Sequence, residues 1–313
     1  MHTILEKIKN LTTVKPSTVD ILKRHGWRLD RAAHNFIYFY FYVPYVKSAL
    51  YGTRFINKYL YWIKPIKYIG QMVFERYHGK VLSVDDINQI LTLNQTLYLD
   101  PENYRRIIPF KYANKVIFKD PTLIAVMDCP CKITNNAPCR PINACIAIGQ
   151  DFAPLWLEHC KKYNARQISQ SEALDIIKAL RASGHITQAF LKVATGGLTG
   201  VICNCCPKCC VCMESSRLSK KVDPRLTMIA PSGYITLHDS QKCTNCGECA
   251  DLCPFDAIEM KNGTYQYDQE KCMGCELCVE KCPSHALQLS LSDSDILPLG
   301  LGLTKPHKSE KIS

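Results

Sequence analysis

Eight cysteines toward the C-terminus fall into two copies of one pattern. Cys243, Cys246, Cys249 and Cys253 read C-x2-C-x2-C-x3-C and are followed by Pro254; Cys272, Cys275, Cys278 and Cys282 repeat it and are followed by Pro283. The offset is 29 residues at every cysteine and at the proline. Thiolates are soft ligands that favour iron–sulfur clusters, zinc and Cu(I). This spacing is the bacterial one for [4Fe–4S] clusters, in which the fourth cysteine of each run ligates the other cluster. Three thiolates at steps of three wrap a short loop around a cube, and the proline ends the turn behind the fourth. Two clusters in one small module would perform one-electron chemistry.

The residues between and after the runs fit that role. Ala257-Ile258 and Ala286-Leu287 follow the two Cys-Pro pairs at equal distance, as apolar walls would. Asn262-Gly263 is a strong hairpin signal, and Tyr265 and Tyr267 alternate with polar residues after it, as a strand does. Residues 234–290 thereby resemble the bacterial two-[4Fe–4S] ferredoxins. The resemblance implies one cluster on Cys243, Cys246, Cys249 and Cys282, and a second on Cys272, Cys275, Cys278 and Cys253.

Ten further cysteines are grouped in the middle of the chain. Cys129, Cys131, Cys139 and Cys145 give C-x-C-x7-C-x5-C, and residues 203–212 hold Cys203, Cys205, Cys206, Cys209, Cys210 and Cys212. Adjacent cysteines cannot all face one cube, so the dense run must divide its thiols. Together the two regions have thiolates enough for one or two further [4Fe–4S] clusters; a four-cysteine zinc site is the alternative. The arrangement is similar to that of a group of multi-cluster ferredoxin-type proteins of anaerobes. Cys160, at helical spacing from Trp156, reads as core, and His159 and His185 as structural histidines.

These ligands need elements to position them. Ser17 after Pro16 opens a helix that Gly26 would stop. Ser83 with Asp86, and Ser169 with Glu172, read as helix caps. Lys115–Phe118, Leu123–Met127, His185–Lys192 and Leu198–Cys203 read as strands. The fold expected is α+β: a helical, basic and aromatic-rich head (1–82), a mixed α/β cysteine-rich domain (83–232), a ferredoxin-like 2[4Fe–4S] domain (233–291) and a tail (292–313).

Charge is uneven along the 313 residues. Residues 1–81 carry 14 Lys/Arg against 4 acids, whereas residues 240–290 carry 4 Lys against 8 acids. Such asymmetry bears on partners rather than on fold. The apolar run Phe36–Val46 is too short and too interrupted to span a bilayer, which needs about 20 residues. With the aromatic and basic residues that follow, residues 32–68 offer a peripheral membrane contact or a packed helical arm. No nucleic-acid motif accompanies them. Met1–Asn10 has no apolar leader core, and 19 cysteines, all but Cys160 grouped at ligand spacings, point to a reducing, cytoplasmic setting in an anaerobe, with the inner face of the membrane as the alternative placement.

No nucleotide loop and no catalytic triad order is present, so no catalytic residue is assigned. The function expected is electron transfer through the clusters, as part of a larger redox system with a redox partner protein. The alternative is a reductase subunit with a site-differentiated, catalytic cluster in the 203–212 run.

Overall fold

A computed structural model describes residues 15–25, 29–63, 65, 77–92, 97–99, 104–109, 116–118, 120–137, 139–192, 199–222, 228–300 and 303–304. The head is helical: α1 (Pro16–His25), α2 (Leu29–Tyr40) and α3 (Tyr42–Phe55), the last extended by a π-helical turn at Ile56–Leu60. Pro16 takes the first position of α1, where its missing N–H costs nothing. Gly26, the expected stop, lies outside the described residues.

The middle region supplies, in chain order, β1 (Tyr77–Val81), α4 (Val84–Thr92), β2 (Leu97–Leu99), α5 (Tyr104–Ile107), β3 (Val116–Ile117), β4 (Ile124–Met127), α6 (Pro130–Thr134), β5 (Cys145–Ile148), α7 (Ala153–His159), β6 (Arg166–Ile168), α8 (Gln170–Ala182), β7 (Ile186–Lys192), β8 (Thr199–Cys205), α9 (Val211–Val222) and β9 (Ile229–Ala230). The caps form as the sequence suggests. Asp86 N–H donates to Ser83 Oγ at 3.1 Å while Ser83 N–H donates to Asp86 Oδ2 at 3.0 Å, and Glu172 N–H donates to Ser169 Oγ at 3.1 Å. Gly184, at φ +78°, ends the turn after α8.

The sheet runs β6–β4–β5–β8–β7–β1–β9, antiparallel except for the β1–β9 pair, and β3 and β2 join it at the start of β8. Successive strand residues point to opposite faces. One face carries Ile124, Val126, Ile146, Ile148 and Ile202 against α4 and α8. The other carries Ala125, Met127, Cys145, Val201 and Cys203 against α2, α3 and α7. Tyr38, Phe39, Tyr42, Val46 and Leu50 of the head are buried in that second core. The pleat thus sends the strand cysteines to the side roofed by head aromatics.

The C-terminal region adds β10 (Tyr234–His238), α10 (Glu248–Leu252), β11 (Ile258–Lys261), β12 (Thr264–Tyr267), α11 (Leu277–Lys281) and β13 (Leu287–Leu291); β14 (Leu303–Thr304) follows. β10 pairs antiparallel with β13, and β11 with β12 through Asn262-Gly263, both at positive φ. The chain is therefore α+β.

Two segments sit differently from their place in the sequence. Tyr77–Val81, read as the end of the head, is a strand between β7 and β9. Its Lys80 is 2% exposed and donates to the carbonyls of Pro231, Ser232 and Leu297 at 2.9, 3.3 and 2.9 Å. Past residue 291, Leu299 is buried and β14 pairs with β2. Both placements rest on pairing over long sequence separation, which local pattern does not encode. Among the described residues, no helix is long and apolar enough to cross a membrane.

Candidate metal centres

In the C-terminal region the 29-residue repeat is also a repeat of backbone. α10 and α11 stand at equal positions in the two halves. Left-handed residues recur in pairs: Asn245 and Gly274 (φ 52° and 60°), Gly247 and Glu276 (84° and 68°), Asp256 and His285 (54° and 51°). These turns aim main-chain donors at sulfur. Asn245 N–H and Gly274 N–H reach Cys243 and Cys272 Sγ at 3.4 Å each, and Ala257 N–H and Ala286 N–H reach Cys253 and Cys282 Sγ at 3.3 Å each. Such bonds to sulfur are among the levers on cluster potential.

The runs also cross. Cys243, Cys246 and Cys249 line one small cavity together with Cys282 of the other run, beside His238 and Tyr265. Cys253 is an electrostatic neighbour of Cys275 and Cys278, and Cys272 of Cys278. His238 stacks on Tyr265 with ring centroids 3.9 Å apart; nothing in the local sequence marks it, because it reaches the cavity only through the β10–β13 pairing.

The two halves differ in burial. Cys246 is exposed, whereas Cys275 and Cys278 are 8% and 9% exposed. Burial pushes the Cys275 thiol up to about 12 and the Cys278 thiol up to about 11, the latter opposed by the Thr236 hydroxyl at 3.5 Å. Burial also raises Cys282, but the Ser284 hydroxyl and the Ala286 N–H outweigh it and hold that thiol below its usual value. All-thiol donor sets with main-chain N–H groups aimed at four of them fit an iron–sulfur core. Binding one would release the protons that burial retains.

The inner half is fastened to the sheet domain by Arg181 of α8. Its side chain is 4% exposed and donates to Glu280 Oε2 at 2.6 Å and to the Cys275 carbonyl at 2.9 Å. Ser232 Oγ donates to the Gly274 carbonyl at 2.8 Å.

Seven middle cysteines gather in a second group. Cys145 and Cys203 are register partners across β5 and β8, and Cys205 lies two residues on, on the same face. Thiol contacts link Cys203 to Cys145, Cys145 to Cys129, Cys129 to Cys131, Cys131 to Cys210 and Cys210 to Cys205; Cys212 lies beside Cys205 and Cys210. They border a cavity of about 130 Å³ roofed by Tyr38, Tyr42, Tyr77 and Phe190. Cys205 and Cys210 share one apolar cluster with Cys275 of the C-terminal region.

Cys206 and Cys209 border the same cavity but pack with Cys139 and Ala137. The dense run does divide its thiols. His185, read from sequence as structural, lies beside Cys139 and Cys206; the signal in reach was its place at the head of a strand that pairs with the cysteine-bearing β8. Cys160 is core, fully buried in the second core of the sheet. His159 meets the Ser17 and Thr18 hydroxyls.

Comparison with known proteins bears on the C-terminal region alone. Residues 236–289 match the model of the 4Fe-4S dicluster domain. Over 31 residues, 10% of the chain, the sequence is 52% identical to Ferredoxin-2 of Desulfomicrobium norvegicum, and the match spans about half (52%) of that protein's length. Residues 236–289 are thus a ferredoxin-type iron–sulfur domain, joined to a cysteine-rich sheet region that the domain match does not cover.

Proposed function

We propose that the protein is an electron-transfer protein whose ferredoxin-type domain holds two [4Fe–4S] clusters and whose middle cavity holds one more. The observation that carries this reading is the shared apolar cluster of Cys275, Cys205 and Cys210, which sets the inner ferredoxin half against the middle cavity. Cys243, Cys246, Cys249 and Cys282 would hold the outer cluster, and Cys253, Cys272, Cys275 and Cys278 the inner one. Bound clusters of this type supply one-electron redox chemistry. The protein's part is placement: Cys246 stays exposed where a partner can approach, while Cys275 and Cys278 are kept from water.

Docking to a larger oxidoreductase is the role we assign to the outer face of the head. Tyr51, Phe55, Tyr59 and Trp62 are 50–66% exposed, with Lys47, Arg54 and Lys58 among them. Replacing Tyr51, Phe55 and Trp62 with Ser should abolish partner capture and leave iron content unchanged; loss of binding to anionic vesicles instead would give that face to a membrane. Deleting residues 1–80 would be a poor test, since it removes β1 and the roof of the cavity.

A reductase is the second reading. It is favoured by the seven thiols that gather there besides Cys206 and Cys209, more than the four irons of one cube bind. Iron and sulfide per chain, with EPR of the reduced protein purified anaerobically, tests both. About 12 iron supports the three-cluster reading, and about 8 confines iron to the ferredoxin-type domain. A reduced signal unlike that of ordinary [4Fe–4S] centres, lost on Cys212→Ser, would favour the reductase.

A further inference from the structure

The turn that follows β8 sends its thiols in two directions. Cys205 and Cys210 contact each other and Cys131 at the cavity. Cys206 and Cys209 contact each other and turn toward Cys139, whose Sγ lies 3.5 Å from that of Cys209. His185 closes the group: its donor nitrogen and the sulfurs of Cys139 and Cys206 all lie within 4.8 Å of one another. The imidazole is 1% exposed, and neither ring nitrogen has a hydrogen-bond partner. A buried polar ring without partners is rare in a native fold and calls for an occupant.

We propose that Cys139, Cys206, Cys209 and His185 form a mononuclear Cys3His site for one Zn²⁺ at the edge of the cluster cavity, whose border Cys206 and Cys209 share. Thiolates about 2.3 Å from a tetrahedral zinc stand about 3.8 Å apart. The 3.5 Å between Cys139 and Cys209 fits that edge. An iron–sulfur cube holds its thiolates farther apart, because each binds a different iron. Cys206-x2-Cys209 also has the spacing of a zinc-binding pair.

The surroundings suit the ion. Lys132, 1% exposed with Nζ 2.6 Å from the Pro141 carbonyl, offsets the excess negative charge of three thiolates around a dication. Asn135 Nδ2 donates to the Cys209 carbonyl at 2.9 Å and holds the turn in place. Zinc has no redox chemistry of its own, so the site would pin the start of β7 to the loop around Cys139 and relay no electrons.

The test is metal content and zinc X-ray absorption on the anaerobically purified full chain. The expected result is about one zinc per chain, with three sulfurs at about 2.3 Å and one nitrogen at about 2.0–2.1 Å. His185→Ala and Cys206→Ser should each weaken zinc binding by at least about 100-fold with iron content unchanged. Absence of zinc overturns the site. Four sulfurs and no nitrogen overturn the role of His185. Loss of about four iron from Cys206→Ser makes these thiols cluster ligands instead. The spectrum of the unaltered protein decides the matter even where a variant does not fold. Iron reports the clusters and zinc reports this site, so one can fail without the other.

Discussion

Removing either partner of the Arg181–Glu280 pair should give unequal losses of stability. Arg181 is 4% exposed and Glu280 is 32% exposed. Glu280→Ala leaves a guanidinium buried with one donor, to the Cys275 carbonyl, still satisfied, and with Nη1 lacking a partner as it already does. Breaking a buried pair this way costs about 3–5 kcal/mol, and the lower end suits a pair with one partly wet member. Arg181→Met removes the buried charge and fills most of its volume. Glu280 can then turn to water, and the remaining loss is the charged donor to the Cys275 carbonyl, about 1–2 kcal/mol. At about 2 °C per kcal/mol for a chain of this size, the midpoints fall by about 6 °C and about 3 °C. The double variant should match Arg181→Met to within about 0.5 kcal/mol, because the second change removes a carboxylate already facing water. Anaerobic thermal unfolding followed by circular dichroism, on samples of equal iron content, measures this. Equal losses, a reversed order or additive effects in the double variant would refute the reasoning.

Two more outcomes follow from the same geometry. A Cβ at Gly274, φ +60°, would overlap the Tyr234 carbonyl, whereas its repeat mate Asn245 is exposed; Gly274→Ala should therefore lose about four iron per chain while Asn245→Ala keeps its full content, and equal iron in the two would sink the claim. His159 of α7 anchors α1 through hydroxyls at 3.1 and 3.3 Å, and burial, with Lys15, holds it below its ordinary 6.5 against the pull of Glu158. A base with a lowered folded pKa makes docking weaken as pH falls through about 6.5 toward the folded value, and leaves it at full strength above. Amide-exchange protection of α1, corrected for intrinsic rates, should fall over that window and become flat in His159→Gln.

The ferredoxin-type domain was legible in sequence because its cysteine pattern is local. Three cysteines at steps of three, a proline and an exact repeat at 29 residues define a loop whatever surrounds it. The caps at Ser83 and Ser169 were legible for the same reason, since both partners lie within one turn. Burial was not. The repeat makes Cys246 and Cys275 equivalent, and only docking against Arg181 and Ser232 leaves one exposed and the other dry. The middle cysteines show the limit most clearly. Their spacing is that of candidate ligands but could not pair them, because Cys145 meets Cys203 through a ladder that joins residues 58 apart. Chain order likewise hid His185, which the β7–β8 pairing brings beside Cys206, and β1, which closes the sheet from within the basic head. Local sequence determined which side chains can bind metal; which of them share a centre was decided by strand pairing, since that is what brings distant segments within reach of one another.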